Sequence, residues 1–328
     1  MLDETYHAAA RSGKYLMAVN RFTAQAVHPA HGPAQRGTPA HRGTASVDEL
    51  GLSPPIYAQP LNRGRTIVAR AFSRTLHSLR GEENVTERTF RDRWQRLVAE
   101  SGEMTADGWY NPPSMGMAVL FATAADPSRV NFRTFRDRES FVSGKVMDHT
   151  NGIVLGYASN VHLKTGLPGD FATTVYLGKD PRVLDHFKRA RELCRAIIAK
   201  VHGTMTAGEL HVEALAELQT RELGGTTHSD TDPDGHNVGH SLPRLRVGPL
   251  TDTLRTDEIE TLRNGRLFIR RDGTWPVGSV DQFTIEPQVV SANDPTLPKV
   301  MLHYVISAAG SVVVCDACEE PLRDLAII

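Results

Sequence analysis

An α+β fold is predicted for this 328-residue chain by three observations. A helix, a short Gly-containing turn, a Thr-capped second helix and a Gly stop occur twice, about 120 residues apart. Strand-forming runs follow each pair, and Gly166-Leu-Pro-Gly169 between two of them is a tight turn of the kind that joins antiparallel neighbours. The expectation is therefore two pseudo-symmetric halves, each a helix pair plus antiparallel strands.

Residues 1–65 read as an N-terminal arm, partly flexible. A short helix is expected over 3–19, followed by a Pro, Gly and Ala mixture from His28 to Gly43 that cannot bury enough apolar area to order itself. Its histidines, His28, His31 and His41, read as linker composition. From Thr66 the spacing of Ile67, Val68, Phe72, Leu76 and Leu79 predicts a helix that Gly81 ends. Thr86 caps a second, with Phe90, Trp94, Leu97 and Val98 on its apolar face and Gly102 at its end. Asp180-Pro181 opens a third, carried by Val183, Leu184, Phe187, Leu193, Ile197 and Ile198. Thr206-Ala-Gly-Glu209 is a capping box for a fourth, which Gly224 stops. Strands are expected over 117–122, 152–163, 171–177, 267–269, 282–290, 300–307 and 311–314.

The bulk numbers narrow the function. With 40% hydrophobic and 23% charged residues the chain can build a core, and its net charge of -1 gives no basic field to draw it to nucleic acid or anionic lipid. No apolar run approaches the roughly 20 residues of a membrane helix, and three cysteines, Cys194, Cys315 and Cys318, make no disulfide framework. A cytoplasmic protein acting on a small molecule, with no nucleic-acid or membrane partner, fits these limits.

Polar chemistry concentrates in Asp234-Gly-His-Asn-Val-Gly-His240 and Phe283-Thr-Ile-Glu-Pro287, an imidazole pair and a carboxylate. Weaker candidates are Cys315-Asp-Ala-Cys318, half a zinc knuckle or two buried thiols, and Asp230, Asp232 and Asp234, a cation loop or a solvated turn. Arg133, Arg136 and Arg138 reach a substrate carboxylate or lie on the surface.

Over residues 66–328 the duplicated layout and the Phe283-Thr-Ile-Glu-Pro287 motif resemble the pita-bread family of methionine aminopeptidase, aminopeptidase P (prolidase) and creatinase. Asn84-Val-Thr-Glu and Gly203-Thr-Met-Thr-Ala-Gly-Glu209 resemble the openings of the family's two second helices. The resemblance implies a site built from two aspartates, one histidine and two glutamates around two divalent metals. Gly169-Asp-Phe-Ala-Thr-Thr resembles the strand of the second aspartate, which implies Asp170; the first aspartate's position holds Ser159, followed by Asn160. Gly235-His-Asn-Val-Gly239 is similar to the family's Gly-His-Gly-Ile-Gly, which implies His236 as the metal histidine, with His240 nearby. Glu286 matches the first glutamate, and His303 stands in place of the last; His149 reads as a turn residue. Trp109-Tyr-Asn-Pro-Pro113 resembles in position a substrate-pocket strand of the family, which implies Trp109 and Tyr110 as cleft residues; packing in the core is the other reading.

Losing the first aspartate removes the anion on which the second metal depends, so the implied set is Asp170, His236, Glu286 and His303 around one ion of Fe, Mn, Co or Zn, or none. Three readings stand. A single-ion enzyme would cleave a C-N bond in a small amino-acid-like molecule, with His236, His240 and Glu286 as catalytic groups. A metal-free lyase or hydrolase in the manner of creatinase would use His236 or His240 as general base, with Glu286 or Asp170 orienting the substrate's cationic nitrogen. A non-catalytic binding module needs neither. With iron, a mononuclear oxidase or oxygenase of a specialised biosynthetic pathway is the further alternative. A homodimer is expected, as among creatinase-like relatives.

Overall fold

Helices carry the first half of the chain onto its sheet. The computed structural model describes residues 55–110, 116–136, 143–225, 227–229, 232–245 and 250–328; the side chains of 55–62, 228–229, 232–235 and 136 lie outside that description. The expected arm over 1–54, its histidines and its short helix fall outside the described residues.

The first helix, α1 (Pro55–Ser78), begins eleven residues before the predicted start at Thr66. Pro60 and Gly64 fall inside its early turns, so the boundary drawn at residue 65 cuts a continuous helix. Its partner α2 (Glu87–Ala99) is capped by Thr86, whose hydroxyl accepts from Thr89 N at 3.1 Å. Phe90, Trp94 and Val98 are buried. Phe72 of α1 packs against Phe90 (5.2 Å between ring centroids), Trp94 (5.0 Å) and Phe171 (6.0 Å). A Cβ on Gly156 would lie 2.3 Å from the Phe72 ring, so the helix pair rests on its sheet at a point that only glycine leaves open.

That sheet has β2 (Met117–Thr123), β3 (Gly152–Ala158) and β5 (Phe171–Tyr176) in the order β2-β3-β5, all antiparallel; beside it β1 (Met104–Gly108) pairs with β4 (Asn160–His162). A short helix, α3 (Phe132–Arg136), lies between β2 and β3.

The second half repeats the plan. Asp180 caps α4 (Pro181–Ala199) and Thr206 caps α5 (Ala207–Thr220), the latter with the full reciprocal box to Glu209. Both cap threonines make isolated antiparallel bridges, Thr86 with Val146 and Thr206 with Pro276. The predicted α5 overshoots: the helix ends at Thr220, and Leu223 and Gly224 form β6. There follow β7 (Thr227–Ser229), β8 (Asp232–Asn237), α6 (Thr256–Asn264), β9 (Phe283–Ile285), β10 (Gln288–Ser291), β11 (Val300–Met301), β12 (Tyr304–Ser307), β13 (Val313–Cys315) and α7 (Glu320–Asp324). The three-stranded sheets are β11-β10-β6 and β13-β12-β9. The predicted strand over 267–269 is reduced to one bridge, Phe268 with His240.

The halves join where Leu302 bridges Thr173 of β5, with His303 N donating to Ala172 O at 3.1 Å and Met301 N to the Thr174 hydroxyl at 3.0 Å. Among the described residues no helix is long and apolar enough to cross a membrane.

Candidate functional site

Four adjacent strand segments set the site at this junction. The β3/β5 register pairs Ala158 with Phe171 and, further along the hairpin, Val161 with Pro168, so Ser159 falls opposite Asp170. Residue 303 follows β5 through its bond to Ala172. The β9/β12 register pairs Ile285 with Tyr304, which sets Glu286 opposite His303. On the other side of β9, Glu286 N donates to Val238 O (2.9 Å) and Thr284 N to His240 O (2.8 Å). Asp170, His303, Glu286 and His240 thus stand in file across four neighbouring segments, and each is at most 4% exposed.

Asp170, Glu286 and His303 each offer a ligand atom within 4.8 Å of the others, the one such group among the described residues. His303 Nδ1 lies 3.3 Å from Glu286 Oε2 and 4.0 Å from Asp170 Oδ1. At 3.3 Å the angle makes no hydrogen bond, and Asp170 Oδ2, Glu286 Oε2 and both His303 ring nitrogens have no hydrogen-bond partner. Buried polar atoms left so are costly, and several facing one another are what a cation would satisfy. His240 Nε2 is 3.6 Å from Asp170 Oδ2 and 3.6 Å from Glu286 Oε1. Its Nδ1 lies 2.8 Å from the Ser241 carbonyl, which can only accept, so Nδ1 carries the proton and Nε2 faces the carboxylates bare.

Burial governs the protonation. It pushes the Asp170 carboxyl up to about 6 against the pull of Arg65, Arg266 and the Tyr157 hydroxyl, which donates to Oδ1 at 3.4 Å. Burial, reinforced by the Asp170 charge, raises Glu286 well above the ordinary range. Burial also lowers His240 to about 3, helped by Arg266, and drives His303 far down, helped by Arg65 and His240. The imidazoles are neutral donors, the form that binds a metal.

Two arginines absent from the sequence-based candidates flank the group. Arg65, fully buried, donates through Nη1 to Gly169 O (2.8 Å) and Asp170 O and through Nη2 to His303 O. Arg266, 7% exposed, spreads its guanidinium against Trp109 (4.8 Å), Phe268 (5.4 Å) and Tyr110 (5.6 Å). Trp109 and Phe268 in turn face the His240 ring, while Phe132 and Tyr157 face that of His303. Trp109 and Tyr110 are therefore walls of this site.

The structure sets His240, and not His236, beside the carboxylates. His236 is exposed on β8, outside the buried group, and its carbonyl accepts from His211 Nε2. The reason is a change of strand partner between the two: up to Asn237 the chain pairs with β7, and from Val238 it pairs with β9. Gly239 permits the switch at φ 158°, since a Cβ there would lie 2.0 Å from Thr284 O.

At the first-aspartate position the Ser159 hydroxyl donates to Gly116 O (3.3 Å) and accepts from Tyr110 N (3.3 Å), and the Asn160 amide donates to Thr105 O (2.9 Å). Both serve the backbone, so the donor set fits one ion and lacks an anion for a second. Cys315 and Cys318 are buried free thiols, and His149 bonds the Glu82 carbonyl. Arg133 is exposed; Arg138, Asp230 and the side chains of Arg136, Asp232 and Asp234 lie outside the described residues.

No family profile and no curated protein matches the sequence. Solved structures do. X-Pro aminopeptidase from Thermotoga maritima superposes with a TM-score of 0.54 at 13% identity over 82% of this chain, which spans 64% of that protein. Prolidase from Pyrococcus furiosus gives 0.53 at 12% over 82% of this chain and 68% of its own. Methionine aminopeptidase from Thermotoga maritima gives 0.50 at 14% over 81% of this chain and 98% of its own. Identities this low speak for architecture alone, and with the two helix-pair halves they establish that this chain has the pita-bread fold.

Proposed function

We propose that the protein is a hydrolase that cleaves a C-N bond in a small amino-acid-like molecule, using one divalent ion held by Asp170, Glu286, His303 and His240. The observation that carries this reading is the set of buried, mutually facing oxygens and ring nitrogens without hydrogen-bond partners. An ion of this class lowers the pKa of a bound water and polarises an amide or amidine. The chain's own groups do the rest. The Ser241 carbonyl fixes the His240 tautomer, the Tyr157 hydroxyl holds Asp170 Oδ1, and the rings of Trp109, Phe132, Tyr157 and Phe268 exclude bulk water. Arg266, on the aromatic wall, is placed to orient an anionic group of the substrate. The protein acts on its substrate as a homodimer without nucleic-acid or membrane partners, which light scattering checks for the dimer.

Metal analysis of protein purified without chelator tests the centre. About one equivalent is expected in the native protein and in His236→Ala, with loss in His240→Ala and in Glu286→Gln. A native protein that takes up no Mn, Fe, Co or Zn on titration sinks the single-ion reading. Release of amine from a panel of dipeptides, amides and amidines by the loaded protein tests the reaction, and oxygen uptake instead of amine release would reassign it.

A further inference from the structure

Arg65 is a buried cation of an unusual kind for this chain. The buried Glu87 is paired with Arg129, and the buried Glu319 with Arg191, Arg195 and Arg323. Arg65, 0% exposed, makes no ion pair among the described residues, and its terminal nitrogens go to three main-chain carbonyls. A guanidinium taken out of water without an acid in contact costs several kcal/mol. The acids on which its charge acts are Asp170 and Glu286, neither carboxyl in an ion pair with it.

The three carbonyls belong to the two segments that carry ligands. Nη1 takes Gly169 and Asp170, where the backbone enters φ 27°, a region that L residues avoid and that needs support from its surroundings. Nη2 takes His303. Because the guanidinium is planar and rigid, its two terminal nitrogens fix the separation of these carbonyls. The distance between the Asp170 and His303 side chains follows from it.

We infer that Arg65 is a positioning residue of the metal centre: from α1 it clamps the main chain at Asp170 and at His303 and sets the spacing of these two ligands. The inference rests on the single-ion reading above. It extends the centre to a helix that contributes no ligand, and makes α1 part of the metal site. A lysine, with one point of attachment, cannot hold both segments.

The test is cobalt(II) titration of the chelator-stripped full chain, read by the visible absorption of the bound ion, which reports coordination without turnover. Arg65→Gln is expected to weaken cobalt binding about 10- to 100-fold, the usual loss when a group supporting a ligand is removed. Arg65→Lys is expected to fold, to bind more weakly than the native chain and to show a shifted spectrum. Thr206→Ala, destabilised elsewhere, should keep native affinity and spectrum. A folded Arg65→Gln or Arg65→Lys with native affinity and spectrum overturns the inference, and if neither folds Arg65 belongs to stability alone. A native chain that binds no cobalt fails the single-ion reading instead, before any variant is compared.

Discussion

Asp170 combines a strained backbone, a buried carboxyl held up to about 6 and a hydroxyl partner in Tyr157, and each of these bears on how it would release a proton to a metal. Ligands must be deprotonated to bind, so protons compete with the ion. Arg65 and Arg266 favour the ionised carboxyls; burial and their mutual repulsion oppose it. Since both acids are shifted upward, Asp170 to about 6 and Glu286 well above the ordinary range, affinity rises with pH, by roughly tenfold per pH unit for each proton displaced, and Asp170 adds to the loss as pH falls through about 6. Calorimetric titration at pH 5, 6 and 7 checks this, and a flat profile contradicts it. Much of the buried group was legible residue by residue: Asp170 and Glu286 through motifs that resemble the pita-bread family's, and His303 as the residue standing where that family's last glutamate would fall. His236 and His240 are both preceded by glycine, four residues apart, and only their strand partners separate them. Arg65 was not legible, because its acceptors lie 104 to 238 residues away in sequence.

Among the elements, helices were read best, because their ends are written locally. Thr86, Asp180 and Thr206 cap as their sequences predict. Thr206 joins two reciprocal bonds, from Glu209 N at 3.2 Å and to Glu209 Oε2 at 3.0 Å, so Thr206→Ala should cost about 1 kcal/mol, read by urea unfolding. Strands were read as longer than they are. The run 152–163 breaks at Ser159, 282–290 at Glu286 and Pro287, and 300–307 at Leu302 and His303, while Asp170 lies just before β5. Strand propensity sees a continuous apolar stretch and does not register where the regular pairing lapses, which here is at or beside the buried polar residues. The start of α1 was missed because the apolar spacing that predicts the helix begins only at Thr66, while the helix itself runs from Pro55.

For the whole molecule, an ion bound only by the folded state shifts the folding equilibrium. At a free ion concentration 100 times its Kd the gain is about 2.7 kcal/mol. Thermal unfolding with and without chelator should therefore show a higher midpoint for the loaded protein, and equal midpoints under saturating metal contradict a folded-state site. The doubled helix-pair layout was legible because each half repeats local signals; the contact between halves, through Leu302 and Thr173, was not, because it depends on pairing between distant segments. The file of Asp170, His303, Glu286 and His240 has a consequence in time as well as in space. Asp170 comes from the first half and the other three from the second, so the long connection between the halves must close before all four stand together. The four side chains come together only where the halves meet, so on the single-ion reading a chain whose halves have not docked lacks a complete place for the ion. On that reading, metal uptake would serve as an inspection of completed folding, passed only by molecules whose halves have docked in register.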